Sequence, residues 1–252
     1  MALFRVDCPV ELREQRWIEQ SMAWFYAEFG DEPLRRPVVL PTKEFFPGTY
    51  DGSISAIRAV IDRVCGYAQV DPGLIDVRCY GDSGEQDLAN AVGLTVRSHS
   101  AAGHYQRVDG RAVIGIDQTL GSTPDRLVAT AAHELSHVRL LDEGRISADR
   151  ADHEPLTDLL TVFLGLGIFT ANARLTYRRD DRRSSTSTLG YLTEPMFGYG
   201  LACYAWLRSE QHPRWVRYLD TNPRAYCQRG LRYLAAHAEP AALPHGTGPS
   251  ER

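Results

Sequence analysis

Five consecutive residues, His133-Glu134-Leu135-Ser136-His137, carry the most readily named chemistry in this chain. On a helix, positions i and i+4 lie on one face, one turn apart. Two imidazoles at that spacing can converge on a single metal ion, with Zn–N distances of about 2.0–2.1 Å. Glu134, beside the first histidine, is offset from the metal. There a carboxylate can take a proton from a water whose pKa the metal lowers, and later return it to a leaving group. The chemistry such a set would carry is metal-assisted hydrolysis, with Zn2+ as cofactor and His133 and His137 as ligands. Without a metal, the same histidines would hydrogen-bond their neighbours in a polar network.

A catalytic zinc takes a third protein ligand. Glu154-Pro155-Leu156-Thr157-Asp158 begins seventeen residues after His137. It opens a stretch, residues 159–164, that is apolar almost all round and so reads as a buried helix. A carboxylate at Asp158 is costly there unless it is paired. A metal-bound histidine offers that pairing, because its second ring nitrogen needs an acceptor to fix its orientation. Glu154 and Asp158 both qualify as third ligand, and both also suit a helix's first turn on dipole grounds alone.

His133-Glu134-x-x-His137 followed by Glu154-x-x-x-Asp158 resembles the gluzincin group of zinc metallopeptidases, which includes thermolysin; the resemblance covers about residues 112–171. It implies Glu154 as third ligand, Asp158 as the residue orienting a ligating histidine, and a peptide or protein as substrate. It also implies an extended substrate held at a sheet edge, here beside residues 113–116. The metzincin pattern does not fit, because Leu140 stands where its glycine belongs and Glu143 where its third histidine belongs. Residues 157–160 and 190–206 are similar to a group of bacterial proteins. A peptidase also needs a donor for the tetrahedral oxyanion. Tyr191, Tyr199 and His212 are the candidates, in that order.

The elements that must position these residues can be read from periodicity. Helices are expected over about residues 10–29, 53–65, 124–141, 155–171, 192–209 and 223–237. In the second, Ile54, Ile57, Ile61 and Val64 fall at helical spacing. For the third, Thr123 is the expected N-cap and Pro124 the first helical residue. Leu127, Ala131, Leu135 and Val138 share one side of it, with the histidines roughly 135° around at about 100° per residue. The apolar side would dock while the histidines face a cleft. Strands are expected at residues 38–40 and 75–80. Residues 104–108 and 111–117 read as a hairpin turning at Asp109-Gly110. Residues 174–190, dense in Arg, Asp, Ser and Thr, read as a solvated loop or mobile lid.

These elements predict an α+β, zincin-like fold. A small antiparallel or mixed sheet precedes the site helix, and a mainly helical C-terminal half follows. One domain is expected over residues 1–238, with possible parts 1–120 and 121–238, and a frayed tail over 239–252. The net charge of −4 provides no basic field for nucleic acid or an anionic membrane. The longest apolar stretch, residues 159–171, is too short to span a bilayer. Five cysteines, odd in number and never in a C-x-x-C pair, argue against a disulfide framework and for a reducing, cytoplasmic setting. Two other function classes fit the same residues: a non-catalytic zinc-binding regulatory or structural protein, and a metal-free helical interaction protein.

Overall fold

A computed structural model describes residues 6–81, 98–100, 103–108, 111–180 and 192–237. The fold is α+β and mostly helical. In chain order its elements are α1 (Leu12–Phe29), α2 (Glu32–Arg35), α3 (Ile54–Ala68), β1 (Ile75–Tyr80), β2 (Ser98–Ser100), β3 (Gly103–Val108), β4 (Arg111–Asp117), α4 (Pro124–His137), α5 (His153–Phe163), α6 (Gly167–Asp180), α7 (Glu194–Leu207) and α8 (Thr221–His237). They form two compact units, Pro41–Thr161 and a second made of Met1–Leu40 with Val162–Arg252. The two ends of the chain share one unit because α1 packs on α7.

The Pro41–Thr161 unit holds the sheet and the site helix. Ser53 caps α3 by accepting the Ala56 N–H at 3.2 Å, satisfying one of the donors a helix start leaves open. Ile57, Ile61 and Val64 are buried as their spacing predicts, whereas Ile54 in the first turn is exposed. The sheet order is β1-β4-β3-β2, with β4 parallel to β1 and antiparallel to β3. Residues 112–116 of β4 are buried on both faces, which explains their unbroken apolar run.

This topology corrects one expectation. β4 is paired with β1 from Ile75↔Ala112 to Tyr80↔Asp117 and with β3 from Gly103↔Ile116 to Val108↔Arg111. Its backbone groups are spent on those neighbours, so an extended substrate cannot add beside residues 113–116. Among the described residues, the outermost strand on the β3 side is β2. The Asp109-Gly110 turn lies outside the described residues.

α4 packs on α3 and against β3 and β4. Pro124 opens it, but Thr123 does not cap it with its side chain; that hydroxyl donates to Leu120 O at 3.5 Å. Every residue from Leu127 to His137 is buried, so the polar side of the helix is covered as well as the apolar side. A π-helical turn, Val138–Asp142, follows. In it, buried Arg139 donates through Nη1 to the terminal carbonyls of α3, Ala68 O at 2.8 Å and Gln69 O at 3.2 Å. Its Nε lies 2.7 Å from Glu143 Oε1. A buried charge is thus paired with Glu143 and ties α3 to the end of the site helix.

In the other unit, α7 is apolar all round and packs between α1 and α8. A Cβ on Gly198 would fall 2.3 Å from Tyr226 Cβ and 3.0 Å from Cys227 N, so the absence of a side chain sets how closely α7 and α8 approach. The helix expected over residues 155–171 is two helices. Gly165 adopts φ +82° at the break, a conformation that favours glycine, and its carbonyl accepts the Val39 N–H at 3.0 Å. Residues 38–40 consequently form no strand; Val38 and Val39 are buried against a turn. Residues 174–180, expected in a loop, complete α6, while 181–190 and the tail 239–252 lie outside the described residues. All five cysteines are free, and Cys65, Cys203 and Cys227 are buried. Among the described residues, no helix is long and apolar enough to cross a membrane.

Candidate metal centre

α4 supplies His133 and His137 one turn apart, and the first turn of α5 supplies Glu154. Three atoms converge. His133 Nε2 lies 3.2 Å from His137 Nε2 and 3.2 Å from Glu154 Oε2, and His137 Nε2 lies 3.6 Å from the same oxygen. Four ligands at about 2.0–2.1 Å around a tetrahedral zinc stand roughly 3.3–3.4 Å apart. The triangle therefore has the dimensions of one face of a zinc coordination sphere.

The outer ring nitrogens define what the inner ones present. His133 Nδ1 donates to Asp158 Oδ1 at 2.8 Å, since a carboxylate only accepts. Thr157 Oγ1 donates its proton to His153 O at 2.8 Å. Its oxygen is then the acceptor for His137 Nδ1–H at 3.3 Å. With both Nδ1 atoms protonated, both Nε2 atoms direct lone pairs at each other and at an ionised carboxylate. Such a set is repulsive unless a cation sits among its members. A proton can bridge one pair of these atoms, whereas a dication satisfies all three.

Electrostatics agree with this wiring. Burial opposes a proton on His133, yet hydrogen bonds to Asp158 and Glu154, with the charges of Asp158 and Glu134, hold its pKa well above the ordinary imidazole value. Burial pushes His137 down to about 4, against the pull of Glu154. Burial would raise Glu154, but the two histidines outweigh it and hold the carboxyl well below the usual range. Without metal, one proton on His133 stabilises the cluster.

The arrangement separates Glu154 from Asp158. Glu154 belongs to the triangle, and Asp158 stands behind His133. Pro155, in the first turn of α5, has no N–H for an intrahelical bond and does not disturb the helix start. Glu134 is fully buried and lies against β3; a Cβ on Gly103 would come within 3.2 Å of its Oε1. Bare backbone at Gly103 is what lets the strand approach that carboxylate.

Tyr199 is placed differently from its expected role. It is completely buried in the unit that contains α7, and its hydroxyl donates to Glu19 Oε1 at 2.5 Å. It is a core aromatic with its polar tip satisfied, not an accessible oxyanion donor. His212 is exposed, in the same unit. Tyr191 lies outside the described residues.

Three residues that periodicity did not single out complete the centre. Thr157 orients His137 as Asp158 orients His133. Adjacency to Asp158 was the available signal, because neighbouring helix positions diverge by about 100° and can serve two different rings. Tyr105 on β3 stacks on the His137 ring at 22° and 5.7 Å, and its hydroxyl donates to Asp142 Oδ1 at 2.6 Å. Only tertiary packing brings it there. His153 is half-buried. Its Nδ1 donates to Arg150 O at 2.9 Å, and its Nε2 lies 3.3 Å from Glu154 Oε1.

No known protein family, no characterised protein and no solved structure matches this chain.

Proposed function

We propose that this protein is a zinc-dependent hydrolase, with peptide bonds as the first substrate class. The convergence of His133 Nε2, His137 Nε2 and Glu154 Oε2 on one point, with donor spacings suited to tetrahedral zinc, carries the reading. The expected zincin-like assignment belongs to the same proposal. It is supported by a site helix that follows a small mixed sheet and by a second helix that brings the glutamate and aspartate.

Zinc held by these three residues would supply Lewis acidity, polarising a carbonyl and lowering the pKa of water towards about 7. The remaining steps belong to the chain. Asp158 and Thr157 fix the two imidazoles with their Nε2 lone pairs inward. Tyr105 holds the His137 ring flat from the β3 side. Glu134, in a site closed to bulk water, takes a proton from the attacking water and delivers it to the departing amine nitrogen. The carboxylate begins and ends the cycle ionised.

A second reading is favoured by burial. Glu134 and His137 are 0% exposed and His133 is 7% exposed, and a centre so shielded from solvent suits a metal that holds structure rather than one that meets a substrate. Zinc content and peptide-library cleavage of wild type and Glu134→Gln separate the readings. One zinc per chain in both proteins, with cleavage by wild type only, supports the hydrolase. Zinc in both and cleavage in neither supports a structural or regulatory zinc protein. A folded protein that neither contains zinc nor takes it up removes both readings.

A further inference from the structure

A separate cleft of about 710 Å³ lies in the unit containing α7 and α8. Four arginines line it, Arg214, Arg217, Arg224 and Arg232, and no carboxylate does. This departs from the chain's balance. The whole protein carries a net charge of −4, yet residues 208–232 hold six arginines against Glu210 and Asp220. Glu210 is already engaged, accepting from Arg208 Nε at 2.9 Å and from Trp215 Nε1 at 2.7 Å.

Local structure explains the convergence. Arg224, Gln228, Leu231, Arg232 and Ala235 recur at helical spacing and so share one face of α8. Arg214 and Arg217 stand three residues apart on the 3₁₀ turn Arg214–Tyr218, where side chains at i and i+3 eclipse. Two elements thus direct their arginines into one space. Arg224 also fixes the turn to α8, with Nε donating to Leu219 O at 2.9 Å and Nη2 to Arg217 O at 2.9 Å. Arg217 is held by its own neighbour, donating to the Tyr218 hydroxyl at 3.0 Å. Arg214 and Arg232 are exposed and form no ion pair among the described residues. Several arginines elsewhere are ion-paired, as in Arg35–Asp31, Arg78–Asp76 and Arg150–Asp152.

Like charges gathered in one concavity repel one another, and they focus a field that attracts anions. Guanidinium forks match phosphate and carboxylate oxygens bidentately. The cleft is far larger than one such group requires and lies in the size range of small-molecule sites. Its lining also includes the half-exposed indole of Trp206 together with Val216 and Leu231, apolar surface that a bare inorganic anion would not use.

We infer that this cleft binds a phosphorylated small molecule with a flat ring, a nucleoside polyphosphate being the simplest, its phosphates on the arginines and its ring on Trp206. The inference does not depend on the metal centre.

The test is calorimetric titration of the full chain with ATP and, separately, with inorganic tripolyphosphate at physiological salt, for wild type and the double variant Arg214→Ala/Arg232→Ala. Neither side chain supports the fold, and an unchanged circular dichroism spectrum and melting temperature would verify that. The expected result is one ATP per wild-type chain, about tenfold or more weaker binding in the variant, and weaker binding of tripolyphosphate than of ATP. Undetectable binding of millimolar ATP would overturn the inference. So would equal affinity in wild type and variant, which would place the contact elsewhere, including at bound metal. Tripolyphosphate binding as tightly as ATP would overturn the assignment of an organic, ring-bearing ligand.

Discussion

His133 Nδ1 donates to Asp158 Oδ1 across 2.8 Å, and both residues are buried. A carboxylate among Leu156, Leu159, Leu160 and Val162 is costly unless it is paired. This pairing offsets that cost and sets the tautomer of the first imidazole of the H-E-x-x-H motif. Asp158→Asn keeps the shape and removes the charge. Zinc affinity is expected to fall about 10–100-fold, with the helical content unchanged. Competition against a chromogenic chelator measures it, and an unaltered affinity would show that Asp158 does not support the ligand.

Glu154→Ala removes one corner of the donor triangle, whereas Glu134→Gln leaves all three corners in place. The first variant is expected to be purified without zinc, the second with one zinc per chain. Under the hydrolase reading, Glu134→Gln should lower turnover by roughly 10²–10⁴-fold, the usual contribution of a general base. Elemental analysis and peptide cleavage on the same preparations read both effects. Stoichiometric zinc in Glu154→Ala would return Asp158 as third ligand.

Zinc entry must displace the proton that His133 holds in the metal-free site. Because the His133 pKa lies above its unfolded value, that proton is fully present below about pH 6.5 and is lost as pH rises through the folded value. Affinity for zinc is therefore expected to increase with pH across the neutral range, with about one proton released per zinc bound. Calorimetry in buffers of different ionisation enthalpy counts that proton. A binding enthalpy independent of the buffer would refute the wiring.

Gly103 is where β3 crosses the site helix. A methyl group there would meet Thr130 Cγ2 at 2.4 Å, Glu134 Oε1 at 3.2 Å and Gly115 O at 3.3 Å. Gly103→Ala is expected to destabilise the fold by about 1–3 kcal/mol, the ordinary cost of overpacking. Adding Thr130→Ala should restore part of that loss. Urea denaturation of the single and double variants tests it, and strict additivity would mean that the two groups do not meet.

Tyr105→Phe keeps the ring stacked on His137 and removes the hydroxyl that donates to Asp142. A loss of about 1.5–3 kcal/mol is expected, as for a hydrogen bond to a charged acceptor. It should stay near the lower end, because Arg107 Nη1 still lies 3.5 Å from Asp142 Oδ1. Zinc content should be unchanged in Tyr105→Phe and reduced in Tyr105→Ala, since the ring, not the hydroxyl, contacts the ligand.

What is local was legible in the order of the residues. Spacing of four along one helix put His133 and His137 on the same face, and an apolar run beginning at Leu159 marked Asp158 as a carboxylate in need of a partner. Alternation and apolar runs located β1, β3 and β4, and helical periodicity located α3 and α4, because each depends on which way neighbouring side chains point. Packing set whatever depends on residues far apart in the chain. It chose Glu154 over Asp158 for the donor triangle, since both lie in the first two turns of α5 and only the approach of α4 distinguishes them. It buried β4 between two strands, which no pattern within β4 could reveal, and so removed the expected substrate edge. It broke the helix expected over residues 155–171 at Gly165, where helical propensity gives way to a turn that bonds Val39. It also spent the Tyr199 hydroxyl on Glu19, 180 positions away, because a buried phenol needs an acceptor and the nearest one comes from another helix.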